Sequence, residues 1–216
     1  MQDNKSKELK CCKKDAILQA AEEVFIQKGY DGARMVEIAN RAGVGHPLLH
    51  YHFSNKKMLF QQVVQQKLCI LSQILWILLD EKKLDIREYI ATMVSRHFDF
   101  VQQHGDHIRF IINELETHPK LFTNNRVLVL EQFKKTSGKL QEDLDKAAAN
   151  GEICPIKAEN LLMDILSLNV FSTYTKALIN SLNEDLDEKS FLETRKAENI
   201  KMILGRLQPE NNFNLE

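Results

Sequence analysis

The stretch from Arg34 to Phe53 constrains this chain more than any other. It reads RMVEIANRAGVGHPLLHYHF. A short segment ends in Arg41-Ala42, Gly43-Val44-Gly45 follows, and a second short segment opens with Pro47 and closes on Tyr51-His52-Phe53. Gly43 can take the positive φ that ends one helix and turns the chain. Pro47 suits the first turn of the next helix, where its missing N–H costs nothing. Two short helices joined by a glycine turn is the layout of a helix-turn-helix. It predicts helices at about 34–42 and 46–52. Val36 (in part), Ile38, Ala39 and Ala42 should turn inward from the first, Leu49 and Phe53 from the second. His46, Leu48, His50 and Tyr51 are left to face outward.

The rest of the chain supports this unit with helices of its own. Ile17, Ala20, Ala21, Val24 and Phe25 form the i, i+3, i+4, i+7, i+8 stripe of an amphipathic helix over Lys13–Lys28. Gly29 closes it, and residues 1–12 read as a frayed basic arm. A long helix is expected from about Asn55 to Leu79, capped by Ser54 or Asn55. Its apolar side carries Met58, Leu59, Val63, Leu68, Leu71, Leu75 and Leu78. Further helices are expected at Asp85–Gln103, Asp106–Glu116, about Asn124–Asn150, Lys157–Ser181 and Glu188–Leu207, with 208–216 frayed. No strand-like alternation stands out. The expectation is an all-α protein of about nine helices.

Composition agrees. With 8 Gly and 4 Pro in 216 residues, helices can be long. Charged residues make up 27% and apolar ones 44%, which suits a soluble globular chain. The run Leu68–Leu79 is shorter than the ~20 residues that span a bilayer, so no membrane partner is expected. The start is polar and unlike a signal peptide, and no C-x-x-C pair occurs among the 4 Cys, so a cytoplasmic location is expected. Residues 1–57 hold 10 Lys and Arg against 7 Asp and Glu, while the remaining 159 hold 19 against 23. A mildly basic head on an acidic body is compatible with nucleic-acid binding by the head. No G-x-S-x-G, P-loop or dinucleotide fingerprint is present, so neither an enzyme nor a cofactor is expected. His97 and His104 are not the i, i+4 pair of a zinc helix, so no metal site is expected.

The head resembles the tetracycline-repressor (TetR) family of bacterial transcription regulators. The resemblance runs over residues 13–64. It is carried by Ile17-Leu18, Ala20-Ala21, Phe25, Gly29-Tyr30, Ile38-Ala39, Ala42-Gly43-Val44, Leu49, Tyr51-His52-Phe53, Lys56 and Leu59. It implies a three-helix DNA-binding domain at 13–54 and a helical ligand-binding and dimerisation domain at 55–207. It also implies a homodimer through the last two helices, and a repressor released from operator DNA by a small hydrophobic molecule. His50 stands where the family usually has tyrosine, and Ala33-Arg34 where it favours a hydroxyl cap.

Within that frame Gly45, His46, Pro47 and Leu48 are the residues expected at base edges, where a recognition helix presents its N-terminal end. Arg34, His50, Tyr51 and Lys56 are expected at phosphates. His52 is expected to pack. Trp76, Met93, His97, Phe100, Phe110, Phe133, Asn169 and Tyr174 fall on apolar stripes of body helices. They fit a small-molecule pocket, and they fit plain core equally well. Asn169 and His97 stand out because a buried polar group needs a partner. The alternatives are a helical protein-interaction module and a regulator with no small-molecule ligand.

Overall fold

The computed structural model describes residues 2–77, 85–182 and 187–209. Side chains are described at all of these but 2–12, 69–77, 123–129, 132, 173, 176–180 and 182. The helices are α1 (Gln2–Gly32), α2 (Met35–Arg41), α3 (His46–His52), α4 (Lys56–Ile77) and α5 (Ile86–Gln103). They continue with α6 (Gly105–Thr117), a 3-10 helix at Pro119–Phe122, α7 (Thr123–Ala149), α8 (Ala158–Leu182) and α9 (Glu188–Arg206). No strand occurs among the described residues. None of the described helices is long and apolar enough to cross a membrane.

The helix order matches the sequence reading, with two differences. The stretch before Lys13, read as an arm, is helical from Gln2. Its Lys, Glu and Leu are good helix formers, and nothing there stops the helix. The 3-10 helix at Pro119–Phe122 was not expected; it buries Phe122.

The chain forms two compact units, one of residues 1–71 with 106–129 and one of residues 72–105 with 130–216. The first holds α1, α2, α3, the start of α4, and α6. Ile17, Ala21, Val24, Phe25, Ile38, Ala39, Leu49 and Phe53 close its core as their spacing requires. At its centre lies Phe60, fully buried. Edge-on rings surround it: Tyr30 at 5.0 Å, Phe25 at 5.1 Å, Phe110 at 5.9 Å and Phe122 at 6.1 Å between centroids. Each such pair adds about 0.5–1.5 kcal/mol beyond the area it buries.

The buried side of α4 is Leu59, Phe60, Val63 and Val64. Met58, read as part of that side, is 54% exposed, and Val36, read as partly inward on α2, is 57% exposed. The inward face of α4 is a paired row at i, i+1, i+4, i+5, which turns Met58 out. Leu130 on α7 is likewise 48% exposed. Polar contacts bind the helices of this unit along their length. Glu22 of α1 receives Lys67 at 2.6 Å and His107 at 2.7 Å. Burial opposes ionisation of Glu22, but these two hydrogen bonds and the charges behind them outweigh it, and its carboxyl lies below the usual value.

The second unit packs Tyr89, Ile90, Met93 and Val94 of α5 against Leu140 and Leu144 of α7, Leu161 and Ile165 of α8, and Ile203 of α9. Asp85 starts α5 by accepting from the backbone N–H groups of Arg87 at 2.8 Å and Glu88 at 3.0 Å. Asp85→Ala removes this cap and should lower stability by about 1 kcal/mol, read as a shift in the urea midpoint at unchanged slope.

Candidate nucleic-acid interface

The turn between α2 and α3 is built from backbone. Gly43 sits at φ 64 and donates to Asn40 O, while Val44 N–H donates to Ala39 O. That left-handed residue satisfies the end of α2 and is where glycine is required. Leu48 and Leu49 N–H both donate to Gly45 O, which starts α3, and Pro47 lies in its first turn. Gly45 is different from Gly43. Its φ is −70, and a Cβ there would meet only Pro47 Cδ at 3.7 Å, an ordinary contact. Nothing among the described residues requires glycine at position 45.

Two faces of α3 are separated cleanly. Leu49 and the capping Phe53 are buried, 0% and 2% exposed. His46, Pro47 and His50 are exposed, Leu48 is half-buried, and Tyr51 is 70% exposed. The rings of His46 and His50 meet edge-on at 4.5 Å. His50 Nδ1 lies 3.3 Å from Ser54 O, a contact in which that nitrogen donates. His52 packs between Tyr51 at 5.3 Å and Phe53 at 6.4 Å.

The cations around α3 divide in the same way. Lys28 pairs with Glu37 at 2.7 Å, and Arg41 reaches Gln27 at 3.2 Å and Glu23 at 3.5 Å, which ties α2 to α1. Arg34 stands before α2, exposed, and makes no capping bond. Lys56, read from the sequence as a phosphate contact, turns inward. Its ammonium donates to Tyr30 O at 2.8 Å, Ala33 O at 3.1 Å and Asp31 O at 3.3 Å, and lies 4.5 Å from the Tyr30 ring centre.

Glu114 of α6 completes the same corner from the other side. It is 2% exposed and accepts from Tyr30 N–H at 2.9 Å, next to the left-handed Gly29. Sequence reading missed it because a carboxylate was not sought on an apolar stripe. Its place three residues after Ile111 and four after Phe110 was the available signal.

Of the pocket candidates, Met93, His97, Phe100, Phe133 and Asn169 lie in the second unit, where Met93, His97 and Asn169 are buried. Tyr174 is 39% exposed. Phe110 does not join them, because it packs on Phe60 in the first unit. The side chain of Trp76 lies outside the described residues. His97 and Asn169 are joined to each other, with Asn169 Nδ2 donating to His97 Nδ1 at 3.0 Å and to Val94 O at 3.0 Å. Asn199, which sequence reading did not single out, donates to Asn169 Oδ1 at 2.9 Å. A cavity of about 450 Å³ lies in the first unit, between α1 and α6, lined by Phe25, Lys28, Gly29, Arg109 and Glu114 among others.

A glycine-turned helix pair with a third helix behind it is the architecture of helix-turn-helix transcription regulators. Residues 17–63, the head of the chain, match the model of bacterial regulatory proteins of the tetR family. It is 35% identical over 113 residues to the HTH-type transcriptional activator FasR of Mycolicibacterium smegmatis (strain ATCC 700084 / mc(2)155), a match spanning 51% of each chain. The chain thus spans about half the length of FasR. It is 25% identical over 164 residues to IcaR of Staphylococcus aureus (strain Newman), the negative transcriptional regulator of the biofilm operon icaADBC, covering 76% of this chain and 83% of that one. Among solved structures, FadR from Bacillus subtilis in complex with stearoyl-CoA superposes with a TM-score of 0.60 at 21% identity, over 89% of this chain and 98% of that one.

Proposed function

We propose that the chain is a transcription regulator that binds double-stranded operator DNA as a homodimer and is released from it by a small hydrophobic ligand. The observation that carries this reading is the division of α3, with Leu49 and Phe53 buried and His46, Pro47, His50 and Tyr51 exposed. An outward face of this kind at a helix N-terminus suits base edges in the major groove. Gly45 then permits close approach of DNA, a role favoured by the lack of any need for glycine there among the described residues. His46 reads a base edge, and Pro47 and Leu48 touch thymine methyls. Arg34, His50 and Tyr51 hold phosphates.

By role, residues 13–54 read DNA and 55–207 serve dimerisation and ligand binding. Support for dimerisation through α8 and α9 is the row of exposed apolar side chains Met163 at 54%, Phe171 at 64%, Tyr174 at 39% and Met202 at 53%. Exposed apolar groups of this size, grouped on two helices, favour a partner surface. Repression follows IcaR and the family resemblance, whereas FasR is an activator. For the ligand, Met93, Phe100 and Phe133 offer an apolar wall, and an acyl-CoA of the kind held by FadR is the first to test.

A mobility-shift titration against an inverted-repeat operator tests the DNA reading. Neutralising several phosphates should make log K fall linearly with log salt, by about 0.9 for each phosphate contacted. Half-sites should be centred about 34–36 Å apart. Absence of DNA binding at low salt would leave the alternative of a protein-interaction module.

A further inference from the structure

Two adjacent lysines open α4, and the structure separates them. The Lys56 ammonium has three N–H donors and three backbone carbonyls around it, all within 3.3 Å, with the face of Tyr30 beneath. These carbonyls belong to the link between α1 and α2, just past the break at Gly29, where no helix ladder accounts for them. The Tyr30 ring is itself held by Phe60 at 5.0 Å and His118 at 5.3 Å. To reach a phosphate, Lys56 would have to abandon all three carbonyls and the ring. Lys57 is exposed and has no partner among the described residues. It lies four residues past Phe53, the residue that ends α3.

We propose that Lys57, rather than Lys56, supplies the phosphate contact at the start of α4, and that Lys56 is a positioning residue. Lys56 fixes the α1–α2 link on α4 and so sets the angle at which the helix-turn-helix is presented. Lys57 works with Arg34, which is exposed and makes no capping bond. The assignment rests on the DNA-binding reading of the head. It deepens that reading by separating charge from placement in a Lys-Lys pair that the sequence alone leaves equivalent.

The test is DNA affinity against salt for the full chain, alongside urea melts without DNA, using K57Q, K56Q and K56R. K57Q should reduce the salt slope of a dimer by about 1.8, which is 0.9 for each head, and leave the melt unchanged. K56Q should lower the melt midpoint and weaken binding at every salt concentration with the slope unchanged. K56R is the sharper variant. Guanidinium serves phosphate at least as well as ammonium, but its planar fork does not fit three convergent carbonyls. K56R should therefore lower the melt midpoint and the affinity while keeping the slope. A K56R protein that binds and melts like the wild type overturns the assignment, and so does a K57Q protein with the wild-type slope. If the wild type binds no DNA, the reading of the head fails instead. Lys56 is then judged by the melt alone, where a wild-type midpoint in both variants overturns its positioning role.

Discussion

Gly29→Ala should cost about 2–6 kcal/mol, a large part of the stability of an ordinary domain. Gly29 sits at φ 67 and ψ 178, a region occupied almost only by glycine, where another residue costs about 1–3 kcal/mol. The added Cβ would also lie 2.9 Å from Glu114 Oε1. That oxygen belongs to a carboxylate 2% exposed, and it holds the N–H of Tyr30. Displacing it leaves a buried donor and a buried acceptor apart, at about 1–3 kcal/mol. Gly138→Ala is the control. Gly138 is helical in α7, and its Cβ would meet nothing within 4 Å, so that change should stabilise by about 0.5–1 kcal/mol. Urea unfolding of both variants decides the matter. Equal, mild effects would refute the account of the Gly29 corner.

Asn169→Leu should lower Tm by about 10 °C, from a loss of about 3–5 kcal/mol. Asn169 and Asn199 are both 0% exposed and linked to each other, and Asn199 Oδ1 accepts from Arg195 Nε at 2.9 Å. Leucine fills the space but orphans His97 Nδ1 and Asn199 Nδ2. The same network sets a pH dependence. Burial pushes the His97 pKa down from 6.5 to about 4, and Asn169 aims a donor at Nδ1, so the proton resides on Nε2. Protonating Nδ1 would set donor against donor. The unfolded chain accepts that proton below about pH 6.5 and the folded chain does not. Stability is therefore complete above about pH 6.5, falls as pH drops towards 4, and levels off below it. Melts at pH 7 and pH 5 should differ by about 2 kcal/mol from this group alone. His97→Gln should abolish that part of the difference. A wild-type protein as stable at pH 5 as at pH 7 would contradict the burial of a neutral imidazole.

Periodicity and punctuation made most of the helices legible. Gly43 and Pro47 placed the end of α2 and the start of α3, Gly29 marked a break three residues before the end of α1 rather than the end itself, and Asp85 marked the start of α5. The stripe Ile17 to Phe25 and the pair Leu49 and Phe53 identified the core face of the head. What escaped depends on contacts between residues far apart in the chain. Met58 and Phe60 are both apolar on one helix, and the rings of Phe25, Tyr30, Phe110 and Phe122, all distant in the chain, decide which of them is buried. Lys56 and Lys57 are chemically identical, and only the carbonyls of a loop more than twenty residues earlier tell them apart. Asn169 announced a need for a partner by being polar on an apolar stripe, but the partner, Asn199, sits on another helix, α9, and no spacing in the sequence joins the two.

Phe110, Ile111 and Phe122 enter the core of the helix-turn-helix unit from chain that lies beyond α5. The reading head is therefore not a cassette that ends with α4. A fragment stopped at residue 71 would leave Phe60 with open space on one flank and Tyr30 N–H without the carboxylate that satisfies it. Chimeras that trade heads among relatives at that boundary would join a reading surface to another protein's α6. To carry the surface over intact, residues 106–129 would have to travel with it.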